Sequence, residues 1–340
     1  MIRVFLPTDK DYTTNGEVVL LPIKCRVFNA DNGEFKLETT CPIKYSPYLV
    51  NNNIIVSPTP TGDQPFRIYD VKKSHSRIDV KARHVTYDSL NYVIADKNVV
   101  NNTAQYALNK FNNATDTKSP FTVYSNITDR HNFRCVRKSL KEAIDIVVER
   151  WGGHIVRNGW KISVLKSIGV DNGITIEYGK NLKTLTADYD FSNVCTKILP
   201  VGKDGQLLDT LYITSTTQYE IPFTKVVSFQ QEVDRDYYES DAAYIAALKK
   251  DLRQQAQAYL AQYCVPNVNY TLNGKPEKVS DIGDIIRVHD KSLGIDITTQ
   301  VISYEYDAIS GAYKSLQFGN FQKTLGDLID IVTYKVKQSL

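Results

Sequence analysis

Methionine and tryptophan are nearly missing, with one Met and two Trp in 340 residues against 22 Tyr and 12 Phe. Tyrosine suits pleated, half-wetted sheet faces, so this imbalance favours strand-rich architecture. Long hydrophobic runs are missing too. No segment reaches the roughly 18 consecutive apolar residues that a membrane helix requires, so no membrane insertion by this chain is expected. The amino terminus, MIRVFLPTDK, reads as a short strand whose apolar run is too brief for a signal peptide. Synthesis and folding in a cytoplasm, with no encoded export route, is the expectation. Charge excess is small: 41 Lys plus Arg against 38 Asp plus Glu, a net of +3. That balance argues against a dedicated nucleic-acid binder. The five cysteines (Cys25, Cys41, Cys135, Cys195 and Cys264) are odd in number, widely spaced and without a C-x-x-C. Neither a disulfide framework nor a zinc site is indicated, and buried free thiols are expected.

What is present describes a globular chain. At 42% hydrophobic and 23% charged residues it has enough apolar content for two to four domains. From residue 1 to 95 the pattern is β, with short strand-like runs at 2–6, 18–21, 24–28 and 34–37. Asp31-Asn32-Gly33 is a hairpin turn, because Asn and Gly tolerate positive φ. Proline-rich breaks are expected at 42–47 and at Ser57-Pro58-Thr59-Pro60, followed by a hairpin of 66–72 and 77–82 across Ser74-His75-Ser76. From 96 to 190 the pattern is α+β. Ala104, Ala107, Leu108 and Phe111 share one helical face, and 121–124 is a strand. Ser139-Leu-Lys-Glu142 is a capping box ahead of the stripe Leu140, Ala143, Ile144, Val147, Val148 and Trp151. Gly152-Gly153 stops that helix, and Asn158-Gly159 turns a hairpin.

Strands return at 197–201, 211–213 and 225–228. A long helix then begins at the Ser240-Asp241 cap, with Ile245, Leu248, Leu252, Ala256, Tyr259 and Tyr263 as its buried stripe, and ends at Val265-Pro266. Strands resume at 268–272, 285–289, 297–306 and 315–318, with a turn at Asn273-Gly274. A closing helix capped by Thr324 presents Leu325, Leu328, Ile329, Val332 and Val336.

No pattern of catalysis emerges. Gly173 to Gly179-Lys180 is one residue too long for a phosphate loop, and Asn181 stands where the Mg²⁺-binding hydroxyl belongs. The histidines, His75, His84, His131, His154 and His289, show no metal-ligand spacing. No local signature marks a cysteine nucleophile. Asp281, Asp284, Asp290 and Asp296 make a carboxylate-rich stretch in which Asp281-Ile-Gly-Asp284 reads as a turn before a strand. Catalytic carboxylates would look the same, because they converge only in the fold. The densest positive patch is Arg130, Arg134, Arg137, Lys138 and Lys141 around Phe133. Its bland reading is a solvated loop and helix entrance; its sharper one is a face toward a polyanion, or toward a lumen that passes nucleic acid, without base reading. No catalytic, metal or cofactor residue is assigned.

One stretch carries an unusual wording. Gly169-Val-Asp-Asn-Gly-Ile-Thr-Ile-Glu-Tyr-Gly-Lys-Asn-Leu-Lys183, then Thr196-Lys197 and Leu199-Pro200-Val-Gly202-Lys203, resembles the prophage tail protein family of long-tailed phages of Gram-positive bacteria. Ala82-Arg83-His84-Val85-Thr86-Tyr87-Asp88-Ser89-Leu90 resembles the end of that family's first domain. Asp281-Ile-Gly-Asp284, Val301-Ile302-Ser-Tyr304 and Leu316-Gln-Phe-Gly319 resemble its closing β segment. The resemblance implies an α+β multidomain fold like that of phage baseplate hub proteins, with two β-barrel-like domains, an α/β domain and a small helical domain. On this chain the first barrel falls at 1–95, the α+β domain at 96–190, the second barrel at 191–235 with 265–323, and the small helical domain at 236–264 with 324–340.

The resemblance also implies a job. Such a hub is a homotrimeric ring that closes the distal end of the tail tube in the virion. It meets the distal tail protein, the tape-measure protein and tail fibre or receptor-binding proteins, and it opens for non-specific passage of DNA. Family members that digest peptidoglycan add a carboxy-terminal hydrolase, whereas this sequence stops at Leu340, just after the hub region. The expectation is therefore a structural protein. A tail-associated cell-wall hydrolase and a carbohydrate-binding adsorption module are the alternatives.

Overall fold

In the computed structural model, Asn32 at φ 50° makes the tight turn that joins β3 (Lys24–Ala30) to β4 (Phe35–Pro42). The structure describes residues 1–177, 182–229, 231, 233, 235, 238–274, 281–290 and 295–319. They divide into two units. One holds Met1–Ala187 and the strands after Tyr270, and the other holds Asp188–Asn269.

The first unit is organised on a 13-stranded sheet. Its amino-terminal part contains β1 (Ile2–Phe5), β2 (Val18–Leu20), β3, β4, β5 (Ile54–Thr59), β6 (Gly62–Lys73) and β7 (Arg77–His84), in the order β3-β4-β7-β6-β5-β1-β2. Period-two alternation decides which face is buried. Phe35, Leu37, Thr39 and Cys41 point inward from β4, and Ile78, Val80, Ala82 and His84 do so from β7. The expected break at Ser57-Pro58 is instead strand. β1 pairs with β5 only as far as Val56, so the missing N–H of Pro58 lies beyond β1's last partner. The expected hairpin of β6 and β7 is present, with Ser74 Oγ donating to the Arg77 carbonyl at 2.9 Å.

Between residues 93 and 165 the chain packs two helices on small sheets. α1 (Ala104–Asn112) buries Ala104, Ala107, Leu108 and Phe111, the face that the spacing marks. α2 (Leu140–Trp151) opens on the full capping box, in which Glu142 N donates to Ser139 Oγ and Ser139 N donates to Glu142. All six stripe residues of α2 are buried. β11 (His154–Asn158) and β12 (Lys161–Leu165) form the hairpin at Asn158-Gly159, and β9 (Thr122–Ser125) runs parallel to β12. The sequence pattern misses a ribbon here. β8 (Val93–Asn102) pairs antiparallel with β10 (His131–Ser139), so Arg134, Arg137 and Lys138 of the basic cluster lie on a strand and not in a loop. Phe133 and Cys135 anchor that strand in the shared core with Val99 and Leu140.

The sheet continues through β13 (Asp171–Glu177), β14 (Leu182–Asp190), β18 (Asn267–Gly274), β19 (Ile285–Asp290), β20 (Ile295–Asp307) and β21 (Ala312–Gly319). β18 runs through Asn273-Gly274, where a turn was expected. β13 lies parallel to β19, and β20 pairs antiparallel with β3, fusing the two strand groups. Arg26 on β3 supports that seam with ion pairs to Glu305 and Asp307 on β20. The expected helix at 324–336 lies outside the described residues.

In the second unit, β15 (Lys197–Val201) is flanked by β16 (Ile213–Thr214) and β17 (Thr224–Ser228). Residues 191–235, grouped with the second barrel in the sequence reading, build this separate three-stranded sheet, and α3 (Asp241–Tyr263) packs on it. The reason lies in the core: Cys195 and Ile198 pack with Ala256 and Leu260 of α3, with Tyr259 and Tyr263 beside them. Leu248, Leu252 and Ala256 are buried as expected, but Ile245 is 42% exposed at the first turn. Mostly strand with few helices, the molecule has a multidomain α+β fold.

Candidate functional site

The basic cluster does not form one open cationic surface. Arg134 on β10 grips Asp96 on β8 through two bonds, Nε to Oδ1 at 3.0 Å and Nη2 to Oδ2 at 2.5 Å. That contact holds the Asp96 carboxyl below its ordinary range and raises Arg134. Arg130 donates to the Asn101 carbonyl at 2.8 Å, and Lys141 pairs with Asp145 one helical turn on at 2.5 Å. Arg137, at φ 50°, and Lys138 have no ion pair among the described residues.

The Arg83–Ser89 stretch is a buried joint. His84 stacks on Phe35 at 4.7 Å and meets the edge of Phe66 at 5.7 Å. Its Nε2 bonds Gln64 Oε1 at 3.1 Å, and Nδ1 lies 2.9 Å from Thr86 Oγ1. Gln64 Oε1 also accepts from Gly159 N, while its amide donates to Asn158, so this network ties β6 and β7 to the β11–β12 turn. Tyr87 donates to the Gly33 carbonyl, and Asp88 pairs with Arg67 at 2.7 Å. These are positioning contacts within the fold.

A second joint crosses Gly169 with Gly283. Asp284 accepts from Val170 N at 3.0 Å and from Asp281 N at 3.0 Å, and Ile285 N donates to the Val170 carbonyl. Asp281-Ile-Gly-Asp284 is thus a turn, as read from sequence, and it feeds β19. Asp296 lies across from His289 at 3.7 Å on the next strand. Gly179, Lys180 and Asn181, the false phosphate loop, lie outside the described residues. Lys203 starts a tight turn with Asp204 and Gly205 at positive φ.

A cavity of about 140 Å³ opens where these two joints meet. Asn29, Asp31, Gln64, Arg157, Asn158 and Asp281 are among the residues that line it. Asp31 is held by His154 at 2.9 Å. Among the described residues, no cluster of three His, Cys, Asp or Glu has the arrangement to hold a metal ion.

The thiols are poor nucleophiles. Cys25, Cys41, Cys135 and Cys195 are buried. Burial pushes Cys25 up to about 12 and raises the other three. Cys264, half-buried at the end of α3, donates to the Ala261 carbonyl. A maleimide applied to the native protein is expected to label Cys264 first, with the other four reacting only after denaturation. Peptide mass mapping reads this, and rapid native labelling of Cys135 or Cys25 would contradict the structure.

Residues 170–329 match the family model described as prophage endopeptidase tail. No curated protein matches the chain in sequence. The fold is shared with prophage tail protein gp18 from Listeria monocytogenes at 15% identity and TM-score 0.65, covering 99% of both chains. It is shared with the 43 kDa tail protein of prophage MuSo2 from Shewanella oneidensis at 12% identity and TM-score 0.67, over 96% of this chain and 99% of that one. The tail protein from Neisseria meningitidis matches at 11% identity and TM-score 0.64, over 96% and 98%. The family match begins at the Gly169–Gly283 crossing, and the fold shared with these tail proteins runs along nearly the whole chain.

Proposed function

We propose that the chain is a structural tail-tip protein, a hub that assembles as a homotrimer and closes the distal end of the tail tube. The observation that carries this reading is the fold shared with a prophage tail protein over 99% of both chains. In the virion the hub meets the distal tail protein, the tape-measure protein and the receptor-binding proteins, and it opens to release DNA into the host. Arg137 and Lys138 are the cations of the basic cluster that this reading turns toward a polyanion; Arg130, Arg134 and Lys141 spend their donors on neighbouring protein groups.

Two chemical observations favour a structural role over the alternatives. The raised thiols argue against a cysteine hydrolase, because the thiolate is the attacking species. The exposed tyrosines argue against a sugar-stacking groove, because cations already cover several of their rings. Arg83 lies over Tyr69 at 4.4 Å, Lys197 over Tyr212 at 4.5 Å, and Lys161 over Tyr124 at 5.4 Å.

Native mass spectrometry and immunogold electron microscopy of intact tails test the assembly. A trimer and label at the distal tip are expected, and a monomer absent from the tip overturns the reading. A zymogram on host cell wall tests the remainder, since clearing by the purified chain would make it a hydrolase.

A further inference from the structure

The cavity between the two joints contains one oxygen that the surrounding protein leaves without a partner. Asp281 Oδ1 is shut off from solvent and has no hydrogen-bond partner among the described residues; the neighbouring Ile282 N–H favours the charged carboxyl but does not offset its burial, and the residue's own backbone N–H is tied to Asp284. The groups around it are mostly acidic or weakly acidic. Asp284 comes from the same turn, the Tyr304 hydroxyl from β20, and Asp31 from the β3–β4 turn; Arg157 on β11 shares the cavity. Asp31 is held by His154, and Tyr304 accepts from Asn29. An ionised Asp281 is therefore a second anion beside Asp284 in one four-residue turn.

Asp284 cannot give way without consequence, because its carboxylate holds Val170 N and Asp281 N together. The same turn is pinned by Gly283 N to the Val301 carbonyl at 2.8 Å, by Val301 N to the Asp284 carbonyl at 3.0 Å, and by Gln300 to the Gly283 carbonyl at 3.1 Å. Charge on Asp281, costly first because its oxygen is buried and then because it repels the Asp284 carboxylate, strains the turn that these ties hold. A neutral Asp281 removes that strain and gains an O–H that can donate into the acceptor-lined cavity.

We propose that Asp281 is a proton-operated latch, which when neutral holds the Asp281–Asp284 turn closed over the cavity and when ionised loosens the Gly169–Gly283 crossing behind it. This inference goes beyond the tail-tip reading and stands whether or not that reading holds. Burial, with Asp284 adding to it, lifts the Asp281 carboxyl to about 6, so the latch works in a range a cell or its surroundings reach. The sign follows from the raised value. The folded state holds the proton more tightly than the unfolded one, so the closed turn is favoured at low pH and that advantage is lost as pH rises through about 6.

Amide hydrogen exchange of the full chain at pH 5.0 and 7.5, corrected for intrinsic rates, tests the latch. Gly283, Ile285 and Val301 are expected to be about tenfold more protected at pH 5.0. In Asp281→Asn, which keeps shape and carries no charge, the same amides should show equal protection at both pH values. Equal protection in the natural sequence overturns the proposal. So does a difference that persists in Asp281→Asn, because it would then belong to another group.

Discussion

Gly169→Ala is expected to destabilise the protein by about 3 kcal/mol or more. A Cβ at Gly169 would sit 2.0 Å from the carbonyl carbon and oxygen of Gly283 and 2.5 Å from Asp284 N. All three obstacles are backbone, so no rotamer change relieves them. The residue also stands at φ +79°, in the region where a side chain is itself strained. The obstructed backbone includes the start of the parallel β13–β19 pair, which depends on Ile285 N reaching the Val170 carbonyl. Gly173→Ala separates the two contributions, since Gly173 lies at φ +65° with nothing within 4 Å of the new methyl. It should cost only about 1 kcal/mol, from backbone strain alone. Calorimetric unfolding of both variants decides: equal losses would mean that the crossing is looser than the structure has it.

The same crossing shows where sequence reasoning succeeds and where it stops. Helices were legible because their signals are local: Ser139 and Glu142 stand three apart, and the six buried residues of α2 follow one 3.6-residue stripe. The β3–β4 turn was legible because Asn32-Gly33 declares it. The β8–β10 ribbon was not, since Val93–Asn102 alternates poorly and its partners, from Asn102↔His131 to Val93↔Ser139, are distant in sequence. Which sheet takes the strands of 191–235 was not legible for a related reason. Strand periodicity says which face is buried but not which sheet receives it, and only the packing of Ile198 on Ala256 and Leu260 settles that.

The candidate site was less legible still. Arg130, Arg134, Arg137, Lys138 and Lys141 look like one patch in sequence, but Asp96 and Asp145 neutralise two of them from other elements. Asp281 gave no sign of its environment, because its burial comes from β3, β11 and β20 at once. A carboxylate next to a second carboxylate, three residues apart in a short turn, was the one signal available. It marked the turn and not the cavity.

His84 gives the second large effect, and its pH dependence has a definite sign. Nε2–H donates to Gln64 Oε1, because Gln64 turns its amide toward Asn158 and its oxygen toward Gly159 N. Nδ1 is then the bare nitrogen, and it accepts from Thr86. A proton on Nδ1 would face the Thr86 donors inside an aromatic box of Phe35 and Phe66, fully cut off from water. Burial, with the nearby Arg157 adding to it, accordingly holds the imidazole well below its ordinary value. The folded state takes up this proton less readily than the unfolded chain. Its stabilising share is complete above about pH 6.5 and shrinks as pH falls below that. His84→Ala removes the ring and strands Gln64 and Thr86, so a loss of about 3 kcal/mol is expected at pH 7.5. At pH 5.0 the gap between the two proteins should narrow by about 2 kcal/mol, because the histidine penalty applies only to the chain that has the histidine. Urea unfolding at both pH values measures that gap directly. A gap that stays constant would show His84 charged or solvated in the folded state, which the stacked geometry with Phe35 does not permit.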